Sequence, residues 1–132
     1  MKKLLQRTYI FVIVLVSTFA MTACDTDDWW TRETVSGTWR IVEATPYSGE
    51  CPYRYKDYME FLYEGTFYAY GDFGLDESGY WDVSRDIITI DFDGDGRSDI
   101  AAQIVQLDDY YMVLDVTDYS FNSDYTLRLV RY

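Results

Sequence analysis

Four aspartates fall within nine residues of this chain, in the segment Asp91–Asp99 with the pattern D-x-D-x-D-G-x-x-D. Calcium takes about six to eight oxygen ligands, and carboxylates at alternate positions can surround one point where glycine permits a sharp turn. A plain hairpin is the alternative, although crowded carboxylates repel each other without a cation. The segment predicts a calcium site with these ligands: Asp91, Asp93, Asp95, the backbone carbonyl of Arg97, and Asp99.

The elements around this segment are predicted to be strands rather than helices. Apolar β-type residues precede it from Ile87 and follow it from Ile100. The glutamate that completes a helix-loop-helix calcium loop is replaced here by Ala102. The segment therefore resembles the short calcium loops that join two strands in extracellular β-proteins.

The first residues carry an export signal. Lys2, Lys3 and Arg7 precede an apolar run that is too short to span a bilayer comfortably, and small residues follow it. The sequence Met-Thr-Ala-Cys that ends at Cys24 resembles the lipobox of bacterial lipoproteins. This resemblance implies that residues 1–23 are a signal peptide and that acylated Cys24 anchors the chain in a lipid bilayer. The expected location is the outer membrane. The acidic residues after Cys24 resemble a cell-surface export signal, and a solvated spacer is the alternative.

Charge and composition limit the partners of the mature chain. Removal of residues 1–23 takes three of the 11 basic residues and none of the 23 acidic ones, which leaves a net charge of −15. Such a charge repels phosphate backbones, so nucleic acid is excluded as a partner. Residues 24–34 are polar and acidic apart from two tryptophans, and they are expected to form a flexible tether.

Residues 35–132 show β-type patterns throughout and no sustained helical period, and only the loop between Pro46 and Tyr55 leaves room for a helical turn. Short connections exclude parallel pairing, so an antiparallel meander follows. Eight strands leave no unpaired edge strand when they close into an up-and-down barrel, which is the predicted architecture. A two-sheet sandwich is the alternative. The predicted strands are Gly37–Ala44, Tyr58–Tyr63, Thr66–Tyr70, Gly79–Val83, Ile87–Phe92, Ile100–Leu107, Tyr110–Val116 and Tyr125–Tyr132.

The first strand carries a G-x-W motif at Gly37 and Trp39. In this respect the chain resembles lipocalins and lipocalin-like bacterial lipoproteins, in which the tryptophan plugs the closed end of the barrel. The resemblance implies that Arg128 or Arg131 stacks on that tryptophan, and Arg128 is taken as part of the signature. Residues 117–119 spell a second lipocalin tripeptide, but here only one strand follows it. The domain is thus expected to bind a ligand, or to have a filled interior.

Catalysis is not expected from this composition. The chain has no histidine, which excludes histidine-based triads, histidine proton shuttles and common catalytic zinc sites. A hydrolase based on a carboxylate pair remains a minor alternative, with Glu43, Glu60, Glu64 and Asp82 as candidates. Once Cys24 is acylated, Cys51 has no internal disulfide partner and is expected to be a small, partly buried apolar residue.

The tyrosines leave two functional classes open. Tyr and Trp rings suit sugars or flat apolar molecules, so a small apolar or carbohydrate-type ligand is the first expectation. An accessory subunit of a surface protein complex, with a filled barrel, is the second. Tyrosines converging on an open barrel mouth would favour the first, and an exposed flat patch would favour the second. The tyrosines concerned are Tyr53, Tyr55, Tyr58, Tyr63, Tyr68, Tyr70 and Tyr80.

Overall fold

The computed structural model describes residues 29–132, in which eight antiparallel strands close into one barrel. Each strand pairs with the next along the chain, and β1 pairs with β8 to complete the circle. The predicted all-β, up-and-down barrel is confirmed, and the sandwich is wrong. The strands are β1 Gly37–Ser48, β2 Tyr58–Phe61, β3 Thr66–Tyr70, β4 Asp76–Ser84, β5 Ile87–Asp91, β6 Ile100–Leu107, β7 Tyr111–Asp118 and β8 Ser123–Arg131.

Alternation of side chains sets the register of the barrel. In β1, Trp39 and Ile41 are fully buried, and in β8 every second residue from Tyr125 to Leu129 faces inward. A shift of one residue in the pairing would turn these apolar side chains out into water. The interior-facing positions therefore hold each strand in a single register.

Strand β1 continues four residues beyond the predicted end at Ala44. The added residues include Pro46, which pairs with Tyr125 of β8 next to an irregularity in the register. Only residues 37–40 of β1 also pair with β2. The second half of β1 therefore has no neighbouring strand on its β2 side. Proline lacks an N–H group and is tolerated at such an edge, where no interstrand hydrogen bond is lost.

A short helix over residues 29–35 packs onto one end of the barrel. Thr31, Thr34 and Val35 are buried, so the part of the predicted flexible tether from residue 29 to residue 34 is a helix that packs on the barrel, while residues 24–28 lie outside the described residues. The helix is too short to show a period in the sequence, and its stability comes from packing. No helical turn forms between Pro46 and Tyr55, and no helix among residues 29–132 is long and apolar enough to cross a membrane.

The barrel has two ends that differ in structure. The helix end carries residues 29–35 and the short turns at residues 62–65, 85–86 and 108–110. The loop end carries the connections at residues 49–57, 71–75, 92–99 and 119–122, three of which are longer than any turn at the helix end. The candidate sites described below lie at these two ends and on the outer face between them.

Candidate functional sites

The helix end is closed by Trp39. Its side chain is fully buried, and its indole N–H donates a hydrogen bond to the carbonyl of Val35 at 2.8 Å. The guanidinium carbon of Arg131 lies 4.0 Å from the centroid of the Trp39 ring. The predicted plug with a stacked arginine therefore exists, and the arginine is Arg131.

Arg131 also joins the last strand to the start of the barrel. Its guanidinium donates hydrogen bonds to the carbonyls of Ser36 (2.7 Å), Thr34 (2.5 Å) and Asp109 (3.0 Å). Desolvation lowers the pKa of Arg131 from its usual value. A Cβ atom at Gly37 would lie 2.6 Å from Arg131 Nη1, which explains glycine at that position. Arg131 is thus a structural clamp.

Arg128 does not take the role that the sequence suggested. Its side chain is half exposed on the outer face, 3.3 Å from Glu43 Oε2, and it donates a hydrogen bond to the hydroxyl of Tyr111. Residues of a strand alternate between the two faces, so Arg128 faces away from the interior that Leu127 and Leu129 fill. The assignment of Arg128 to the structural signature is wrong.

The tripeptide Thr117–Tyr119 lies at the loop end, opposite Trp39. Its central residue, Asp118, caps the turn between β7 and β8, because Oδ1 accepts the backbone N–H groups of Ser120 and Phe121. The turn that meets Arg131 is instead the β6–β7 turn, whose Asp109 carbonyl accepts a hydrogen bond from it. The tripeptide is thus a local turn, not a part of the helix-end closure.

The predicted calcium loop connects two strands, as expected. Asp91 organises it: Oδ1 accepts the N–H groups of Asp93 (3.2 Å) and Gly94 (2.9 Å), and Oδ2 accepts that of Gly96 (2.9 Å). Partial desolvation acts to raise the pKa of Asp91, but the hydrogen bonds from Gly96, Gly94 and Asp93 outweigh it and the net pKa is lowered.

The other carboxylates of this loop point to separate partners. Asp95 Oδ1 accepts the N–H of Arg97, and Asp99 Oδ2 accepts the N–H of Phe92. Within residues 29–132, no three acidic, cysteine or histidine side chains lie together in a way that would hold a metal ion. The predicted ligands therefore do not converge in this structure, and backbone N–H groups stabilise the negative charge of Asp91.

The barrel interior is almost completely filled. An internal cavity among the described residues has a volume of about 10 Å³, and Tyr53, Phe61 and Tyr125 are among its walls. A cavity of that size holds about one water molecule. No ligand enters the barrel unless a side chain moves out.

Tyr53 and Tyr125 close the loop end from the inside. Their rings meet edge to face at 6.1 Å, and both side chains are buried. The hydroxyl of Tyr125 donates a 2.7 Å hydrogen bond to Oδ2 of buried Asp118. Burial raises the pKa of both tyrosines well above the usual value, so both phenols are neutral at physiological pH.

Cys51 lies on the segment that carries Tyr53. It is half-buried, has no disulfide partner, and its thiol lies 3.4 Å from the Tyr53 carbonyl. Burial raises the pKa of the thiol, which makes it a poor nucleophile at neutral pH. This environment agrees with a small packing residue.

Most of the seven tyrosines singled out in the sequence lie on the outside of the barrel. The ring of Tyr58 stacks on that of Tyr70 at 5.4 Å and meets the ring of Tyr132 edge to face at 5.1 Å. Tyr68 and Tyr80 lie exposed on neighbouring strands. We call this surface the tyrosine face, and it comprises Tyr58, Tyr68, Tyr70, Tyr80 and Tyr132.

The four carboxylates considered for catalysis also lie outside the interior. Glu43 pairs with Arg128, Glu60 accepts a hydrogen bond from Thr38, and Glu64 accepts one from Thr66. Asp82 forms an ion pair with Arg32, whose guanidinium carbon lies 4.6 Å from the centroid of the Trp81 ring. Each carboxylate has its own structural partner, and the structure brings no two of them together in a pocket.

Cys24 and the rest of the predicted leader lie outside the described residues. A family model of the lipocalin-like domain matches residues 35–114, more than half of the chain. The matched region contains Gly37 and Trp39 and extends into β7. A search of curated proteins finds no significant match to the chain.

Proposed function

This chain belongs to the lipocalin-like domain family, and we propose that it is an exported, lipid-anchored binding protein without catalytic activity. Lipocalin-like domains are generally binding proteins, and the absence of histidine agrees with this role. Acylated Cys24 would hold the domain at the outer membrane. The helix at residues 29–35 would then keep the barrel close to the bilayer.

The proposed binding surface is the tyrosine face. Because side chains fill the interior, a ligand is expected to contact the outer surface of the barrel. This observation is the main support for the proposal. Tyr68 and Tyr70 are each 39% exposed and Tyr80 is 59% exposed, which is unusual for three aromatic rings on adjacent strands. Their rings offer apolar surfaces and their hydroxyls offer hydrogen bonds.

The proposed ligand is a neutral carbohydrate. Sugar rings stack on tyrosine, and they form hydrogen bonds with the phenol hydroxyls and with the neighbouring Ser78 and Glu60, which are cross-strand partners of Tyr68. The net charge of −15 that remains after removal of residues 1–23 disfavours acidic polysaccharides. A protein partner in a surface complex is the second candidate, since an exposed aromatic patch suits it equally.

Affinity electrophoresis of the chain in gels that contain dextran, mannan or xylan tests this function. We expect retardation by at least one neutral polysaccharide, and the double substitution Tyr68→Ser and Tyr70→Ser should abolish it. The matched control is Tyr110→Ser, because Tyr110 is 78% exposed at the helix end. Retardation that survives the double substitution would place binding elsewhere, and absence of retardation by all three would favour a protein partner.

Metabolic labelling with an alkyne-bearing palmitate tests the anchor. We expect label on the wild-type chain and none on Cys24→Ala, with Cys51→Ala as the control that retains the label. An unlabelled wild-type chain in the soluble fraction would contradict the membrane attachment.

A further inference from the structure

Exposed aromatic side chains lie at the helix end of the barrel. Trp29 and Trp30, on the short helix, are 57% and 47% exposed. Tyr63 in the β2–β3 turn and Tyr110 in the β6–β7 turn are 52% and 78% exposed at the same end. We call these four side chains, Trp29, Trp30, Tyr63 and Tyr110, the helix-end aromatics.

Two arginines hold the helix and both turns together. Arg32 Nε donates a hydrogen bond to the carbonyl of Tyr63 at 3.0 Å, and the guanidinium carbon lies 5.6 Å from the centroid of the Tyr63 ring. Arg131 donates its backbone N–H to the carbonyl of Tyr110 at 2.9 Å, and its guanidinium donates to the carbonyl of Thr34 in the helix. The helix-end aromatics therefore belong to one platform, which can contact a surface without rearranging.

The chain length between Cys24 and the helix limits where the helix end can lie. Trp29 is five residues after Cys24, and an extended chain spans at most about 3.3–3.6 Å per residue, so the two lie no more than about 18 Å apart. This inference rests on the anchor proposed above. With acylated Cys24 inserted in the bilayer, the start of the helix lies within that distance of the lipid surface.

The loop end also carries exposed aromatic rings, among them Phe73, Tyr119 and Phe121, so exposure alone does not choose between the two ends. Strand β8 has nine residues. At about 3.4 Å per residue and a tilt of about 40°, a strand of this length separates the two ends by about 23 Å. That distance exceeds the reach of the segment after Cys24. The barrel therefore cannot rest on its loop end while Cys24 is in the bilayer.

We propose that the helix-end aromatics lie in the head-group region of a phospholipid bilayer and orient the barrel, with the loop end directed away from the lipid. Trp and Tyr combine an apolar ring with an N–H or O–H group, and both are enriched at membrane–water interfaces. The same turns carry exposed Glu64, Asp86, Asp108 and Asp109. Because anionic lipids repel these carboxylates, the surface fits zwitterionic head groups.

Tryptophan fluorescence tests this orientation in the acylated chain, purified from membranes and reconstituted in phosphatidylcholine vesicles. Lipids brominated near the head group quench tryptophans that contact them, so we expect the wild type to lose emission relative to vesicles without bromine. The double substitution Trp29→Phe and Trp30→Phe removes both exposed fluorophores and keeps the rings aromatic. Its remaining emission comes from buried Trp39 and Trp81 and should not be quenched.

The matched control moves the fluorophore to the loop end. Phe121→Trp, in the background of Trp29→Phe and Trp30→Phe, introduces an exposed tryptophan there, since Phe121 is 52% exposed. We expect its emission to be quenched by acrylamide in the water and not by brominated lipid. Inclusion of anionic phosphatidylglycerol should reduce the quenching of the wild type, and equal quenching would overturn the preference for zwitterionic head groups.

Flotation of the vesicles on a density gradient separates failure of the anchor from failure of the orientation. A wild-type chain that floats with the vesicles but is not quenched by brominated lipid would overturn the proposed orientation and leave the anchor intact. Quenching of the Phe121→Trp variant by brominated lipid would overturn it as well. A wild-type chain that does not float would contradict the anchor, and the orientation with it.

Discussion

The guanidinium of Arg131 stacks on the indole of Trp39 with 4.0 Å between its central carbon and the ring centroid. Trp39 lies three residues into the first strand, and Arg131 is the last residue of the eighth. The same guanidinium donates hydrogen bonds to the carbonyls of Thr34 and Ser36, 97 and 95 positions away. One side chain therefore holds together the helix and the first and last strands at the helix end.

Replacement of Arg131 by alanine should lower the free energy of unfolding by about 3 kcal/mol, since it removes a cation–π contact and leaves carbonyl acceptors without their charged donor. Urea denaturation with tryptophan fluorescence measures this loss. The control is Arg128→Ala, whose exposed ion pair with Glu43 is worth roughly 0–1 kcal/mol. Equal losses for the two variants would show that Arg131 is not the clamp.

Tyr125→Phe tests the buried hydrogen bond at the loop end. The substitution leaves Oδ2 of Asp118, 1% exposed, without the donor that it now has at 2.7 Å. We expect a loss of about 1–3 kcal/mol in unfolding free energy. Tyr111→Phe, which loses a hydroxyl bonded to exposed Arg128, serves as the comparison and should change stability by less than about 0.5 kcal/mol.

Asp91→Asn should lower the melting temperature even in the presence of a chelator. Asp91 accepts three backbone N–H groups in the β5–β6 loop, and asparagine has one acceptor oxygen instead of two. Asp93→Asn is the control, because no hydrogen bond to its carboxylate is seen in this loop. Differential scanning fluorimetry measures both variants.

Addition of millimolar calcium to the same samples tests the metal prediction. Binding to the folded state raises the melting temperature. A rise for the wild type that both variants lose would support the ligand set Asp91, Asp93, Asp95, Arg97 and Asp99. An unchanged melting temperature would show that hydrogen bonds alone organise the loop.

Glu77→Gln should change how stability depends on pH. Burial and the charge of Asp118 raise the pKa of Glu77 in the folded state, so the native chain binds more protons than the unfolded chain between the two pKa values. The contribution of Glu77 to stability is therefore present below the unfolded pKa and falls as the pH rises through the folded pKa. The variant should gain stability relative to the wild type at pH 7 and lose that advantage at pH 4. A pH-independent difference in urea midpoints would contradict this.

Local sequence patterns predicted the barrel well. Alternating apolar residues, such as Trp39 and Ile41, mark one buried face, and the glycine of Glu64-Gly65 marks a hairpin that the structure contains with φ of +114° at Gly65. Strand pairing depends on neighbours in sequence, because each connection in a meander is short. The topology was therefore accessible from periodicity and turn residues.

The helix at residues 29–35 and the contact of Arg131 with Trp39 were not accessible in this way. The helix is stabilised by distant groups, including Asp82, which pairs with Arg32. Alternation places Arg131, and not Arg128, on the face of β8 that carries Leu129, and the register of β8 against β1 then places Arg131 beside Trp39. Long-range contacts decide both features.

The sequence by itself determined the fold class and the absence of histidine chemistry, because these depend on composition and on short-range periodicity. The resemblance of its G-x-W motif to that of lipocalins implied the plug at Trp39. Only the tertiary structure decided that the interior is filled, that the tyrosines lie mainly outside, and that Asp57, Glu77 and Asp118 lie close to Tyr53. Those properties depend on side chains from strands far apart in sequence, whose volumes and charges meet only when the barrel closes.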